Sequence, residues 1–257
     1  MPDVSPEVSA ILLDAAGVLI FPQPDFMLAQ LQTAGLSPDR TVLEQAHYRA
    51  MAVQDTAGRA SRAGGWWRGY LEAYFGACGV PEDQCPGLAE QAAVATTPGV
   101  WTHVGSGVMD GLRALAALGV PMGVVSNSDG RLQALLVRLA VCYAPGGPES
   151  GPDGVPAGVP VGVVVDSTRA GVAKPDPAIF SLALEVLGVP VSGSVLHVGD
   201  SLRSDVDGAL AAGLQPVHLD PYGFCPSPEG HGHIRSLADL AQAVAGSGPP
   251  GGLSWPT

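Results

Sequence analysis

Positive charge is scarce in this chain of 257 residues. It carries 12 Lys and Arg against 24 Asp and Glu, for a formal net charge of −12, and only 14% of its residues are charged. Nucleic acids and anionic membranes are bound through clustered positive charge. The composition therefore argues against both as partners. It also means that any phosphate site needs positive charge or a metal ion supplied locally.

Long apolar runs and cysteine clusters are missing as well. No uninterrupted apolar stretch approaches the roughly 20 residues that span a bilayer, and residues 1–7 lack the basic start and apolar run of a signal peptide. No Cys-x-x-Cys pair occurs, which argues against zinc binding by cysteines or a dense disulfide framework. We expect a soluble, cytoplasmic protein with reduced thiols at its four cysteines, which are Cys78, Cys85, Cys142 and Cys225.

Lysine occurs once, as Lys174, and the other eleven basic residues are arginine. The lysine opens the segment Lys-Pro-Asp-Pro at residues 174–177. Its ammonium group is a compact point charge with rotating donors, whereas arginine presents a rigid planar fork. A small site that holds one phosphoryl group beside a carboxylate needs the compact ion. Taken alone, a lone lysine is more often a solvated surface residue, so other residues must complete the site.

Short apolar runs that end in a polar residue recur along the chain, and most are followed by a turn and a helical pattern. Continuous apolar runs are typical of strands that are buried on both faces of a parallel sheet. The alternation predicts a doubly wound α/β domain. The predicted strands cover residues 10–14, 121–126, 161–166, 194–200 and 215–220, and the predicted helices between and after them cover residues 106–118, 178–187, 204–212 and 237–245.

Residues 22–96 break this alternation, because they show helical patterns without a strand signal. We therefore predict an α/β core domain at residues 1–21 and 97–257, with a small all-helical domain at residues 22–96 inserted after the first strand. Nine of the fourteen aromatic residues lie between Phe21 and Trp101, which favours a separate small core over a ligand pocket. The Gly/Pro-rich residues 145–160 predict an exposed irregular loop.

Four polar positions fall at or just after predicted strand ends. Asp14 ends the first strand, Ser126 the second and Asp200 the fourth, and Lys174 lies in the loop after the third. Asp205 follows Asp200 by five residues and enters the next helix. Ligands of open α/β sheets bind outside the carboxyl ends of the strands. We expect these five side chains to converge on one crevice.

The five side chains form a coherent set for phosphoryl transfer. Carboxylates from separate loops can hold Mg²⁺, a hard cation that prefers oxygen ligands. The metal and Lys174 would neutralise the phosphoryl charge, while Ser126, the adjacent Asn127 and nearby backbone N–H groups would bind the substrate oxygens. Asp14 would then attack phosphorus and form an aspartyl-phosphate. His231 and His233 resemble a short metal-binding pair, but the glycine-rich surroundings favour a flexible loop.

With these motifs the chain resembles the haloacid dehalogenase-like (HAD) hydrolases over nearly its whole length. Residues 14–19, Asp-Ala-Ala-Gly-Val-Leu, are similar to the nucleophile motif Asp-x-Asp-Gly-Thr-Leu, and residues 125–127, Val-Ser-Asn, to the second motif. Residues 174–180 closely match the third motif, and residues 198–205 with Gly208 and Ala209 match the fourth. The resemblance implies a Rossmann-like core and a helical cap at residues 22–96.

The resemblance also marks one departure, at Ala16. Phosphatases of the family carry aspartate there, as the general acid for the leaving group and later the base for water. The family's metal uses the backbone carbonyl at that position, so the resemblance implies metal ligation by Asp14, the Ala16 carbonyl, Asp200 and Asp205. Loss of general acid–base catalysis costs roughly 10²–10⁴-fold.

Two branches of the family also lack this aspartate. Phosphonatases carry alanine there but form an imine with a lysine of the cap, and residues 1–173 contain no lysine. The 2-haloacid dehalogenases carry an aromatic residue there and lack the metal-binding fourth motif, which this chain retains. Three hypotheses remain: a Mg²⁺-dependent phosphatase or phosphotransferase for a small phosphorylated metabolite, a weak or inactive member that binds a phosphorylated ligand or a partner, and, less favoured, a dehalogenase-like hydrolase.

Overall fold

A computed structural model describes residues 8–56, 65–95, 99–146 and 157–246 of the chain. Its strands are β1 (Ala10–Leu13), β2 (Ile20–Pro22), β3 (Trp101–Val104), β4 (Met122–Ser126), β5 (Cys142–Tyr143), β6 (Val159–Pro160), β7 (Val163–Asp166), β8 (Val195–Gly199), β9 (Gln215–Leu219) and β10 (Gly232–Ile234). Its α-helices are α1 (Pro24–Thr33), α2 (Arg40–Thr56), α3 (Gly65–Ala77), α4 (Cys85–Ala95), α5 (Val108–Ala117), α6 (Leu132–Arg138), α7 (Ser167–Ala170), α8 (Ala178–Leu187), α9 (Asp207–Ala211) and α10 (Leu237–Val244).

A six-stranded parallel sheet forms the centre of the first of two compact units. Its strand order is β10-β9-β8-β1-β4-β7, so β1 lies between β8 and β4. All four residues of β1 are fully buried, as expected for a strand covered on both faces. The predicted doubly wound α/β core is confirmed, and each of the five predicted strands is present with its ends shortened by up to two residues.

Side chains of alternate residues enter the core on opposite sides of the sheet. On one side, Leu12 of β1 and Val125 of β4 pack against Phe180 and Ile179 of α8. The four predicted helices are present as α5, α8, α9 and α10. The helix that was predicted at residues 204–212 begins instead with a π-helical turn at Leu202–Val206, which then continues into α9.

The second unit comprises the described residues within 20–103 and 222–228. Helices α1 to α4 form its body, but the unit is not all-helical, because strands β2 and β3 pair within it. The aromatic stripe of α3 supplies a core of its own: Tyr70 and Phe75 are fully buried, and the Tyr74 hydroxyl donates to the carbonyl of Leu43 at 2.9 Å. The interpretation of the stripe as a separate core is therefore correct.

The unit boundaries differ from the predicted ones in three places. The sequence prediction assigned residues 20–21, 99–103 and 222–228 to the core, but they belong to the second unit. Strand β3 joins it because it pairs with β2. The segment 222–228 joins it because Tyr222 contacts Tyr48 at a ring separation of 5.8 Å and Arg49 stacks over Phe224 at 4.0 Å.

Two glycine-rich stretches that were predicted to be loops contain short strands. Of the loop predicted at residues 145–160, residues 147–156 lie outside the described residues, and Val159–Pro160 forms β6, paired in parallel with β5. The stretch around His231 and His233 is not the flexible loop that was expected, because Gly232–Ile234 forms β10 at the edge of the main sheet. Within the described ranges, no helix combines the length and hydropathy needed to cross a bilayer.

Candidate active site

The carboxyl ends of three adjacent strands bring the predicted polar residues together. Asp14 directly follows β1, Ser126 is the last residue of β4, and Asp200 directly follows β8. Because β4 and β8 are the two neighbours of β1 in a parallel sheet, these residues lie at the same edge. Carboxylate oxygens of Asp14, Asp200 and Asp205 lie within 4.8 Å of one another.

Lys174 lies between two of these carboxylates. Its Nζ is 3.0 Å from Oδ2 of Asp14 and 2.6 Å from Oδ1 of Asp205, and the residue is only 4% exposed. Burial disfavours the ammonium cation, but the Asp14 and Asp205 carboxylates outweigh that cost and raise the pKa of Lys174. The alternative of a solvated surface lysine is therefore wrong, and Lys174 is the buried counter-ion of the site.

Both oxygens of Asp205 are held by neighbouring groups. Oδ1 accepts from Lys174 and lies 2.9 Å from Nε2 of His197, and Oδ2 accepts from the backbone N–H of Ser201 at 3.1 Å. Burial favours the neutral acid, yet Lys174 and His197 prevail and hold the pKa of Asp205 well below its usual range. Asp205 therefore fixes the position of Lys174. Sequence reasoning missed His197, although it lies in β8, just before the fourth motif.

Asp14 is oriented by its own backbone and by Ser126. Its Oδ1 accepts from the N–H of Ala15 at 2.7 Å, and it accepts a hydrogen bond from Ser126. Burial raises the pKa of Asp14; Lys174 and the Ser126 hydrogen bond oppose the rise, and Asp205 reinforces it. The result is a carboxylate that is held in one orientation and poorly solvated, which suits a nucleophile.

Asp200 packs against the backbone of the first motif. Gly17 has a φ of +77°, and a Cβ atom at that position would collide with the Asp200 carboxyl group. Only glycine combines this backbone conformation with such a close approach. Burial, Asp205 and Asp14 together raise the pKa of Asp200 well above its ordinary value, so positive charge beside it would be strongly stabilising.

The donor set fits a magnesium ion. When its three carboxylates are ionised, the buried cluster with its one ammonium group carries a net charge of −2, which one divalent cation balances. The donors are all oxygen atoms, which Mg²⁺ prefers, and a few protein carboxylates are its usual complement. The Ala16 carbonyl remains the predicted backbone ligand.

The side chain of Asn127 is engaged with the third motif. Its Nδ2 donates to the carbonyl of Lys174 at 3.0 Å, and its Oδ1 accepts from the N–H of Lys174 at 2.8 Å. These bonds position the lysine backbone, so direct substrate binding by Asn127 stays a prediction. A residue that the sequence reasoning passed over, Asp166, accepts from the N–H groups of Gly130, Leu132 and Thr168 and orders the loop after β4.

Comparison with known proteins agrees with this geometry. The family model described as haloacid dehalogenase-like hydrolase matches residues 8–213, a span that includes Asp14, Ser126, Lys174 and Asp200. The chain belongs to this family.

Relatives of the HAD-like chain include curated proteins and solved structures. Two vertebrate proteins named haloacid dehalogenase-like hydrolase domain-containing protein 3 match it. The one from Bos taurus is 31% identical over 82% of each chain, and the one from Danio rerio is 35% identical over 60% of this chain and 62% of the relative. Pyrimidine 5′-nucleotidase YjjG of Escherichia coli strain K12 is 43% identical over 32% of this chain and 37% of the relative.

A crystal structure of a HAD family hydrolase from Deinococcus radiodurans R1, with bound phosphate and sodium, matches 94% of this chain and 96% of its own. Its TM-score is 0.54 at 25% sequence identity. The likeness extends over both units of the HAD-like chain.

We expect Lys174→Met to destabilise the protein by about 3–5 kcal/mol at neutral pH, because it leaves buried carboxylates without their cation. The lowered pKa of Asp205 means that its stabilising contribution is present above the carboxylate's unfolded pKa, about 4, and is lost as pH falls through the folded pKa. The loss should therefore be full at neutral pH and shrink under acid conditions. Urea unfolding at several pH values measures it.

Arg113→Met is the matched control, since it removes one cation from the exposed pair with Asp110. We expect that change to cost about 1 kcal/mol or less. Equal losses in the two variants, or a loss in Lys174→Met that does not vary with pH, would contradict the counter-ion role.

Proposed function

We propose that the chain is a Mg²⁺-dependent phosphatase or phosphotransferase that acts on a small phosphorylated substrate through an aspartyl-phosphate at Asp14. The observation that carries the proposal is the placement of Lys174 Nζ, 3.0 Å from Asp14 Oδ2 in a buried cluster of three carboxylates. A carboxylate nucleophile beside its own cation, at the carboxyl edge of a parallel sheet, matches the needs of a phosphoryl group that carries negative charge.

Each residue of the site has a separate role in phosphoryl transfer. A carboxylate oxygen of Asp14 attacks phosphorus, forming an O–P bond as the bond to the leaving group breaks, and water later releases inorganic phosphate and regenerates the carboxylate. Lys174 balances the charge of the transferred group, and Ser126 with nearby backbone N–H groups binds its oxygens. Bound Mg²⁺, held by Asp14, Asp200, Asp205 and the carbonyl of Ala16, would supply further charge neutralisation.

Ala16 shapes the substrate preference in this proposal. A methyl side chain cannot protonate a departing oxygen, so the reaction favours leaving groups that depart as stable anions. Aryl and acyl phosphates meet that condition, and alkyl phosphates do not. The nucleotidase YjjG, named for activity on a phosphate ester, supports phosphate-ester chemistry in this part of the family.

A second candidate follows from the same residue. Ala16 favours a weak or inactive member that binds a phosphorylated ligand or a partner protein, because both proton transfers of the reaction lose their usual side chain. A dehalogenase-like activity is the least favoured, since Asp200 and Asp205 are retained in a cluster that fits a metal.

Hydrolysis assays distinguish these candidates. We expect release of phosphate from p-nitrophenyl phosphate and acetyl phosphate with Mg²⁺, none after chelation with EDTA, and far slower release from an alkyl phosphate. A protein that binds phosphate in calorimetry but turns over none of these esters would support the binding function. Release of halide from a 2-haloacid without Mg²⁺ would support the dehalogenase-like function.

We expect Mg²⁺ alone to stabilise the folded protein. Binding to the native state adds about 2.7 kcal/mol at a hundredfold excess over Kd, which corresponds to a rise in Tm of several degrees. Because the pKa of Asp200 is raised, protons compete with the metal to a higher pH than usual, so the Tm shift should grow as pH rises through that pKa. Scanning calorimetry with and without Mg²⁺ measures the shift. A shift that persists undiminished in Asp200→Asn would contradict the assigned ligand set.

A further inference from the structure

Three of the six histidines come together beside β9 and β10, at the end of the sheet opposite β7. His218 of β9 is the direct register partner of His233 of β10, so the two side chains lie on the same face of the sheet. His231 precedes His233 by two residues and is placed on that face by the same alternation. The ring centroids are 5.5 Å apart for His218 and His231, 5.5 Å for His218 and His233, and 4.5 Å for His231 and His233.

Two hydrogen bonds fix which ring nitrogen carries the proton in His218 and in His231. Nε2 of His218 donates to the carbonyl of Asp200 at 3.2 Å, which places the lone pair on its Nδ1. Nδ1 of His231 donates to the carbonyl of Glu229 at 3.2 Å, which places the lone pair on its Nε2. A histidine that ligates a metal almost always donates its other ring N–H to a carbonyl, carboxylate or water in this way.

Two of the ring nitrogens have no hydrogen-bond partner among the described residues. His218 is only 5% exposed, and its Nδ1 is buried without a hydrogen bond; Nε2 of His233 is likewise buried and unpaired. Burying a polar atom without a partner is costly, and such groups in a native structure call for an ion or a water. The ligand atoms that the three histidines offer lie within 4.8 Å of one another.

We propose that His218, His231 and His233 form a site for a divalent transition-metal ion of the Zn²⁺ class, separate from the carboxylate cluster. Imidazole nitrogen suits zinc and its neighbours in the first transition row, whereas Mg²⁺ requires oxygen ligands. Three histidines are a known set of protein ligands for zinc. The carboxylate of Asp220 interacts electrostatically with all three rings and offsets part of the ion's charge.

The protonation state of the cluster agrees with this assignment. Burial lowers the pKa of His231 to about 4, with His233 and His218 adding to the effect, and burial also lowers the pKa of His218 and of His233. Burial thus favours the neutral imidazole at each ring, which is the form that binds metals. Through the bond from His218 to Asp200, the ion would also hold the backbone of a residue of the active site.

Zinc titration of the chelator-stripped protein tests the site. With Mg²⁺ in excess to saturate the carboxylates, we expect calorimetry to show one Zn²⁺ bound to the wild type, and at least about tenfold weaker binding to His231→Gln and His233→Gln. His103→Gln, a histidine of the second unit outside the cluster, is the matched control and should bind like the wild type. Asp200→Asn should also retain zinc.

Unchanged affinity in both cluster variants would overturn the proposal, and so would loss of zinc in Asp200→Asn alone. Nitrogen NMR of the six imidazoles in the wild type needs no variant: Nδ1 of His218 and Nε2 of His231 and His233 should shift on addition of Zn²⁺, and the absence of any shift would overturn the proposal equally. None of these measurements uses a substrate, so a chain without phosphatase activity could still bind zinc.

Discussion

Asp14→Asn is expected to lower kcat toward aryl phosphates by roughly 10⁴-fold or more, the scale of removing an enzyme nucleophile. The amide has nearly the shape of the carboxylate but cannot attack phosphorus. The raised pKa of Asp14 indicates that its ionised form is disfavoured in the fold, so loss of the charge should not destabilise the protein, and Lys174 keeps its bond to Asp205 at 2.6 Å. Steady-state assays and urea unfolding measure the two effects.

Asp176→Asn is the matched control. It makes the same chemical change two residues from Lys174, at an exposed position where the side chain only accepts from the N–H of Ala178. Activity of that variant should stay close to that of the wild type. Turnover that survives in Asp14→Asn, in a preparation free of other phosphatases, would remove Asp14 from the role of nucleophile.

Ala16→Asp is expected to raise turnover of alkyl phosphates by roughly 10²–10⁴-fold, the usual contribution of general acid–base catalysis. The gain in kcat/KM should be small for aryl phosphates, whose leaving groups need no proton, although kcat should rise because the new carboxylate also speeds hydrolysis of the aspartyl-phosphate. The dependence of kcat/KM on leaving-group pKa should therefore be steep in the wild type and shallow in the variant. A series of substituted phenyl and alkyl phosphates measures both slopes.

Ala16→Asn controls for size and polarity, because it adds nearly the same volume without an acidic proton. We expect it to leave the steep slope of the wild type unchanged. If Ala16→Asp behaves like Ala16→Asn, another group already supplies the proton, and the account of the missing acid is wrong.

The sequence predicted the sheet and the meeting of Asp14, Ser126, Lys174 and Asp200 for one reason. Each residue lies at or after the end of a buried apolar run, and parallel strands have their carboxyl ends at one edge. The hydrogen bonds that the site's side chains make could not be predicted in this way. Asn127 hydrogen-bonds the backbone of Lys174, which lies 47 residues later in the chain. This contact depends on how two loops meet in space, and a local sequence pattern cannot predict it.

The histidine cluster could not be predicted from the sequence for a different reason. His231 and His233 were noted as a pair, but glycine and proline around them favoured a loop over a strand. Strand β10 is only three residues long and forms because it pairs with β9, a long-range contact that local propensity cannot reveal. Without knowledge of that pairing, the sequence does not indicate that His218 lies beside His231 and His233.

Trapping the phosphorylated enzyme tests the central claim most directly. Ala16 lacks the base that would activate water, so the aspartyl-phosphate should accumulate during turnover of an aryl phosphate with Mg²⁺, giving a burst of phenol. Acid quench and peptide mass spectrometry should then find one phosphoryl group on Asp14, convertible to homoserine by borohydride, and none in Asp14→Asn or after EDTA. Turnover with the phosphoryl group on another residue, or with none trapped and no burst, would contradict the account.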